Sequence, residues 1–298
     1  MTTIDELDHL SLGKRIRLHH MLYEHGPGNG RLMILPIDQG LEHGPVDFFP
    51  NPPSADPEFQ FKLAVKGGYS GIALHLGLAE KYAPKHAGKI PIVLKINGKT
   101  RIPAADDPIS AMTGSVEDAV RIGADAIGYT LYVGSPNQVA DLNQFRHVKA
   151  DAERYGMPII IWAYPRGKAV DSKGGKDSLY AIDYAARVAN EVGADIVKLN
   201  VPVDDAKTRS QQPSPYDKLE LSYEEMVHKV VMSAGKTLVL FSGGGKMNDD
   251  EVVRRAKVCL EQGATGIIFG RNLWQREWTD ALTMTKRLKD MIKSLQSG

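Results

Sequence analysis

Cysteine is nearly absent. Cys259 is the single one in 298 residues, so no disulfide can form within the chain. It lies in VVRRAKVCLEQG (252–263), where a packed thiol is expected rather than a nucleophile. A reducing, cytoplasmic setting fits that usage. Net charge is also lacking: 37 Lys and Arg against 36 Asp and Glu leave +1, so no nucleic-acid or anionic-membrane partner is expected. No apolar run approaches the roughly 20 residues that span a bilayer. The first twenty residues, MTTIDELDHLSLGKRIRLHH, are charged throughout and lack the apolar centre of a signal peptide. The nine histidines show neither H-x-H nor H-E-x-x-H spacing, so no metal or other cofactor is expected. No G-x-G-x-x-G follows the first apolar run, and the phosphate-loop spacing G-x-x-x-x-G-K-[ST] is missing too.

What the chain does hold is a repeated alternation. Eight short apolar runs recur: RLMILPID (31–38), YSGIALHL (69–76), PIVLKIN (91–97), ADAIGYTLYVG (124–134), PIIIWAY (158–164), ADIVKLNV (194–201), TLVLFSGG (237–244) and TGIIFGRN (265–272). They are nearly continuous in apolar residues, as parallel strands covered on both faces should be. Helical patterns lie between most of them, among them SVEDAVRIG (115–123), where a Ser/Glu pair marks the start, and SLYAIDYAARVANEVG (178–193). The turns RIGADAIGY, EVGADIVKL and EQGATGIIF repeat one helix-to-strand junction. Eight such units without a dividing linker predict a single α/β domain, a (β/α)8 TIM barrel over 31–298, behind an N-terminal helical lead-in over 1–30. About fifteen residues separate the second and third runs, so the helix there must be short. A doubly wound open sheet is the alternative, disfavoured by the strand count and the missing glycine fingerprint.

In such a barrel the chemistry gathers where strands run into the following loops. Those ends carry Asp38, Gln39, Glu42 and His43; Lys95 and Asn97; Trp162, Tyr164 and Arg166; Lys198 and Asn200; Ser242, Gly243, Gly244, Gly245 and Lys246; and Gly270, Arg271 and Asn272. GADIVKLN places Lys198 in an otherwise apolar strand, on one face with Ile196 and Asn200. Burial disfavours an ammonium, and a neutral amine condenses with carbonyls to a Schiff base. PIVLKIN gives Lys95 the same setting, and periodicity does not separate the two lysines. A proton carrier must stand beside such an amine, and Tyr164 and Asp38 are the candidates, with Trp162 on the face of Tyr164 as a wall. The glycines of SGGGK and GRN, with Ser242 and Arg271, suit a phosphate.

Five of these stretches, PIDQGLEHGP, WAYPRG, GADIVKLN, SGGGK and FGRN, stand in an order that resembles the archaeal-type (DhnA-type) class I fructose-bisphosphate aldolases, from about residue 31 to 290. The resemblance implies a metal-independent barrel that cleaves fructose 1,6-bisphosphate to dihydroxyacetone phosphate and glyceraldehyde 3-phosphate, a step of glycolysis and gluconeogenesis. It also implies that Lys198 is the Schiff-base lysine, which separates it from Lys95. Tyr164 then transfers protons beside Trp162, and Asp38 assists at the carbinolamine and at C–C cleavage. Ser242, Gly243, Gly244, Gly270 and Arg271 then bind the phosphate of the dihydroxyacetone half, and His43 faces the other end of the sugar. A homo-oligomer is implied as well. Sister enzymes on the same scaffold, such as heptulosonate-type transaldol synthases, are the alternative, followed by a sugar-phosphate-binding barrel without turnover. The polar loop 202–221 is expected to be a lid or an oligomer contact.

Overall fold

The computed structural model describes residues 2–104, 108–245 and 247–295. Eight parallel strands close into a barrel in chain order: β1 Leu32–Pro36, β2 Gly71–His75, β3 Ile92–Lys95, β4 Ala126–Val133, β5 Ile159–Pro165, β6 Ile196–Leu199, β7 Leu238–Ser242 and β8 Gly266–Ile268. β8 returns to β1 through Leu32↔Gly266. Each of the eight expected runs is one of these strands. The third is shorter than the sequence suggests. It stops at Lys95, because Asn97–Gly98 leaves the barrel to pair antiparallel with Ala111–Met112 over the mouth.

Strand alternation sorts the apolar residues into two cores. Outward side chains, such as Ile127, Ile161 and Val197, pack beneath the surrounding helices. Inward ones, Leu32, Ile34, Ala73, Val93, Ile160, Trp162, Ile196, Leu240 and Ile268, fill the barrel. The N-terminal lead-in completes this inner core. Its helix Leu12–His19 runs into one π turn at His20–Glu24, and Leu7, Leu18, Met21 and Leu22 are buried with the inward strand residues. Polar ties fix it to the barrel floor. Lys14 Nζ, buried, donates to Asp195 Oδ1 at 3.0 Å and to Glu153 Oε1 at 2.7 Å, and His20 Nδ1 meets Asp125 Oδ1 at 3.1 Å.

The helical layer follows the sequence pattern with small adjustments. The helix between β2 and β3 is indeed short, Leu76–Tyr82. Val116–Arg121 opens with a capping box, but Ser115 pairs with Asp118 rather than with Glu117. Cys259 is buried and its thiol is pushed up to about 12 by desolvation, so it is packed and unreactive, as expected. The loop 202–221 is tied to the outer helix Leu179–Val192. Tyr216 donates to Asp183 Oδ2 at 2.7 Å, and Gln212 Oε1 accepts from Tyr180 N at 3.0 Å. No helix among the described residues is long and apolar enough to cross a membrane.

Candidate active site

The two-residue period of the strands turns the apolar floor of the barrel into a polar rim. Two positions beyond inward Ala73, Val93, Trp162, Ile196, Leu240 and Ile268 come His75, Lys95, Tyr164, Lys198, Ser242 and Gly270, all at the carboxyl ends. The interior walls shield the two lysines of this rim from water. Lys95 is fully buried, and Lys198 is 6 % exposed.

The two lysines, indistinguishable by pattern, stand in different electrostatic settings. Lys95 Nζ donates to Thr130 Oγ1 at 2.7 Å, and to Asp38 Oδ2 and Glu42 Oε1 at 3.3 Å each. Three N–H groups meet three acceptors, so its nitrogen has no lone pair to offer. Lys198 has no carboxylate partner at ion-pair distance among the described residues. Its amine donates to the Tyr164 hydroxyl and lies 4.4 Å from the centre of that ring and 5.9 Å from that of Trp162. Burial lowers Lys198 to about 8 against the pull of Asp38 and Glu42, and the positive charges of Lys95 and Arg166 reinforce the drop. At pH 7 about one amine in ten is then neutral, against about one in three thousand for an ordinary lysine.

The partners are set by the same desolvation. Tyr164 is pushed well above the ordinary phenol value by burial, and the carboxylates Glu42 and Asp38 add to it, so it is a phenol at neutral pH. Burial pushes the Asp38 carboxyl up, but Lys95, with His75 and Lys198, outweighs it and holds the group below the usual carboxylate range. Arg166 stands 5.1 Å from the centre of the Tyr164 ring.

The loops expected to suit a phosphate follow β7 and β8. Ser242 Oγ donates to Asn200 Oδ1 at 2.8 Å, and Asn200 Nδ2 donates to Asp177 Oδ1 at 2.8 Å, so a relay anchors the Ser242 side chain at the end of β7. Asn272 Nδ2 donates to the carbonyls of Gly243 at 3.4 Å and Gly245 at 3.2 Å, which staples the β7 loop to the short helix Arg271–Trp274. Gly270 has to be glycine, since a Cβ there would lie 2.8 Å from the Pro36 carbonyl oxygen. Lys246 lies outside the described residues. Asp47 Oδ2 takes His43 Nδ1 at 2.6 Å and lies 3.8 Å from Arg271 Nη1. His43 and Arg271 are therefore side by side on the β1–β8 flank, and a carboxylate that the sequence reading passed over joins them.

Gly128 is a second residue that pattern reading missed, although a glycine inside an apolar strand signals close approach. A Cβ at that position would lie 2.6 Å from Lys95 Cδ and 2.7 Å from Trp162 Cζ3. Both neighbours are held, one by three hydrogen bonds and the other by the inner core. Gly128→Ala is expected to cost about 1–3 kcal/mol of stability by overpacking. It is also expected to lower kcat by about 10²-fold by displacing the residues around Lys198. Thermal unfolding and steady-state kinetics on one preparation check both.

Comparison with known proteins bears on this geometry. The profile described as DeoC/LacD family aldolase matches residues 32–276. The fructose-bisphosphate aldolase class 1 of Thermoproteus tenax is 39% identical over 264 residues, 88% of this chain and 90% of that protein. A solved archaeal fructose-1,6-bisphosphate aldolase, with its catalytic lysine covalently bound to the carbinolamine intermediate of the substrate, is 36% identical. It superposes with a TM-score of 0.78 over 93% of this chain and 100% of that one. The fructose-bisphosphate aldolase of Slackia heliotrinireducens is 28% identical, with a TM-score of 0.85 over 99% of this chain and 92% of its own.

Proposed function

We propose, from the premise that this chain belongs to the DeoC/LacD family of aldolases, that it cleaves fructose 1,6-bisphosphate reversibly through a Schiff base on Lys198. It is a class I fructose-bisphosphate aldolase, a carbon–carbon lyase. The observation that carries the assignment of the nucleophile is the division of partners: both nearby carboxylates go to Lys95, and the phenol of Tyr164 goes to Lys198.

The steps follow from that arrangement. Neutral Lys198 attacks the C2 ketone, and proton shift from nitrogen to oxygen gives the carbinolamine. The Tyr164 phenol gives its proton to the departing hydroxyl, so water leaves and an iminium stands beside a phenolate. The phenolate takes the C4 hydroxyl proton while the C3–C4 bond breaks and its electron pair flows into the iminium. Glyceraldehyde 3-phosphate departs from the resulting enamine. Tyr164 returns the proton to C3, and water hydrolyses the iminium to free dihydroxyacetone phosphate. Asp38, as a carboxylate, accepts from the substrate hydroxyls and fixes the chain of the sugar over the amine. Ser242, the backbone of Gly243, Gly244 and Gly270, and Arg271 hold the C1 phosphate, and their role is positioning. Trp162 walls the nucleophile. His43 reaches the substrate from the Arg271 flank, while the Arg166 guanidinium lies against the Tyr164 ring.

Borohydride trapping tests the reading. Incubation with fructose 1,6-bisphosphate and reduction is expected to leave a covalent adduct whose peptide maps to Lys198. The trapping rate is expected to rise as pH climbs through about 8 and then level, because only the unprotonated amine attacks and burial places its titration there. Cleavage without any reducible adduct would rule out the imine route.

A further inference from the structure

The steps above leave Lys95 without a task, yet its seat is built with care. Asn97 clamps the backbone of Thr130 from both sides: its Nδ2 donates to Thr130 O at 2.9 Å, and its Oδ1 accepts from Thr130 N at 2.6 Å. That fixes Thr130 Oγ1 at 2.7 Å from Lys95 Nζ. Gly128 leaves room for the lysine stem, and the indole of Trp162 lies 4.5 Å from the ammonium at its centroid. Asp38 stands at the N-cap position of the short helix Gln39–His43 with its side chain free of any cap hydrogen bond, and Glu42 follows one turn later, so both carboxylates reach one cation. Stability does not explain the arrangement, since a buried ion pair usually gains little over an apolar substitute. The group it controls does. Without that cation the buried Asp38 carboxylate would be left unpaired beside Glu42, and burial would favour its protonated form.

We propose that Lys95 is a positioning residue of the cleavage reaction: the fixed counter-ion that keeps Asp38 ionised and aimed at the substrate hydroxyls above Lys198. It also occupies both carboxylates, so that neither pairs with the Lys198 amine. The nucleophile stays free because the second lysine is held. This rests on the aldolase reading above.

The test uses Lys95→Met, Lys95→Arg, Thr130→Val and Asp38→Asn, with Lys95→Met combined with Asp38→Asn. Thr130→Val keeps the lysine but removes one of its acceptors, so the question stays open to measurement if Lys95→Met folds poorly by circular dichroism. The acid limb of kcat against pH is the informative readout, because in the substrate complex Lys198 is already an imine and the limb reports Asp38. Lys95→Met is expected to lower kcat at neutral pH by about 10²-fold, with KM within a few-fold, and to move that limb to higher pH. Lys95→Arg is expected to recover part of the rate, and Thr130→Val to move the limb the same way by less. Adding Lys95→Met to Asp38→Asn is expected to change kcat by less than about threefold, because both act through one carboxylate. An acid limb that stays put, or losses that multiply in the double variant, would overturn the inference. Failure of the parent enzyme to give a reducible adduct on Lys198 would instead overturn the aldolase reading, which keeps the two outcomes apart.

Discussion

Lys198→Ala is expected to lower fructose 1,6-bisphosphate cleavage by more than about 10⁴-fold, the scale seen when a covalent nucleophile is removed. Borohydride should then leave the protein unlabelled. Dihydroxyacetone phosphate should still bind with an affinity within about tenfold of the parent, because the proposed site holds its phosphate with the β7 and β8 loops and not with the amine. Retained turnover in this variant would remove the basis for the mechanism, and so would a new adduct at Lys95 with an unchanged rate. Lys198→Met adds a thermodynamic check. The folded protein binds the Lys198 proton less tightly than the unfolded chain does, with its titration moved from 10.5 to about 8 by burial. Below about pH 8 that difference is a full penalty on folding, and above the unfolded value it vanishes. The methionine variant should therefore melt at a higher temperature than the parent at pH 7. The gap should narrow as pH rises from about 8 toward about 10.5. A parent protein already more stable than the variant at pH 7 would mean that the buried amine finds compensation, and that its nucleophilicity has another origin.

The contrast between the two lysines also marks what a sequence of this kind carries. Continuous apolar runs such as PIIIWAY and ADIVKLNV specified parallel strands because a strand covered on both faces has no polar side to show. Alternation then put Lys198 on one face with Ile196 and Tyr164 on one face with Trp162, and barrel closure turns those faces inward. Local pattern stops at partner choice. Asp38 meets Lys95 across 57 positions and Glu42 meets it across 53, so which lysine is paired depends on barrel closure. The family resemblance chose Lys198, and the ion pairs supply the physical reason. Asp47, which joins His43 to Arg271, was invisible for the same cause: it sits in a 3-10 turn, Pro45–Phe48, with no periodicity to flag it. His75 closes β2 beside Lys95 in the register, and its ring is held toward the neutral form by burial and by that lysine. A single histidine at the end of YSGIALHL gave no reason to expect it. Strand β3 was read two residues too long because Ile96 and Asn97 are as apolar or as turn-like as a strand end allows. Only the pairing of Asn97 with Met112 shows the chain already leaving the barrel.

Tyr164→Phe is expected to lower kcat by about 10²–10⁴-fold, the usual range for a general acid–base group. The substitution keeps the ring that packs beside Lys198 and Arg166 and deletes only the hydroxyl that meets the amine. KM should stay within a few-fold, since the phosphate contacts are untouched. The distribution of trapped species carries the mechanism. Dehydration of the carbinolamine and removal of the C4 proton both call on the phenol, so both slow together. The bound sugar should then wait in its uncleaved form, and mass analysis of the reduced Lys198 peptide should show the six-carbon adduct gaining on the three-carbon one. If Asp38 were the sole base, loss of the phenol would slow dehydration alone, and the three-carbon adduct would keep its share once the iminium had formed. The phenol titrates well above 10 because of burial and the neighbouring carboxylates, so no limb of the kcat profile near neutrality belongs to it. The profile of Tyr164→Phe should thus fall as a whole without changing shape. A limb near neutrality that disappears in this variant would assign that titration to Tyr164 and make it a base in the resting enzyme instead of an acid.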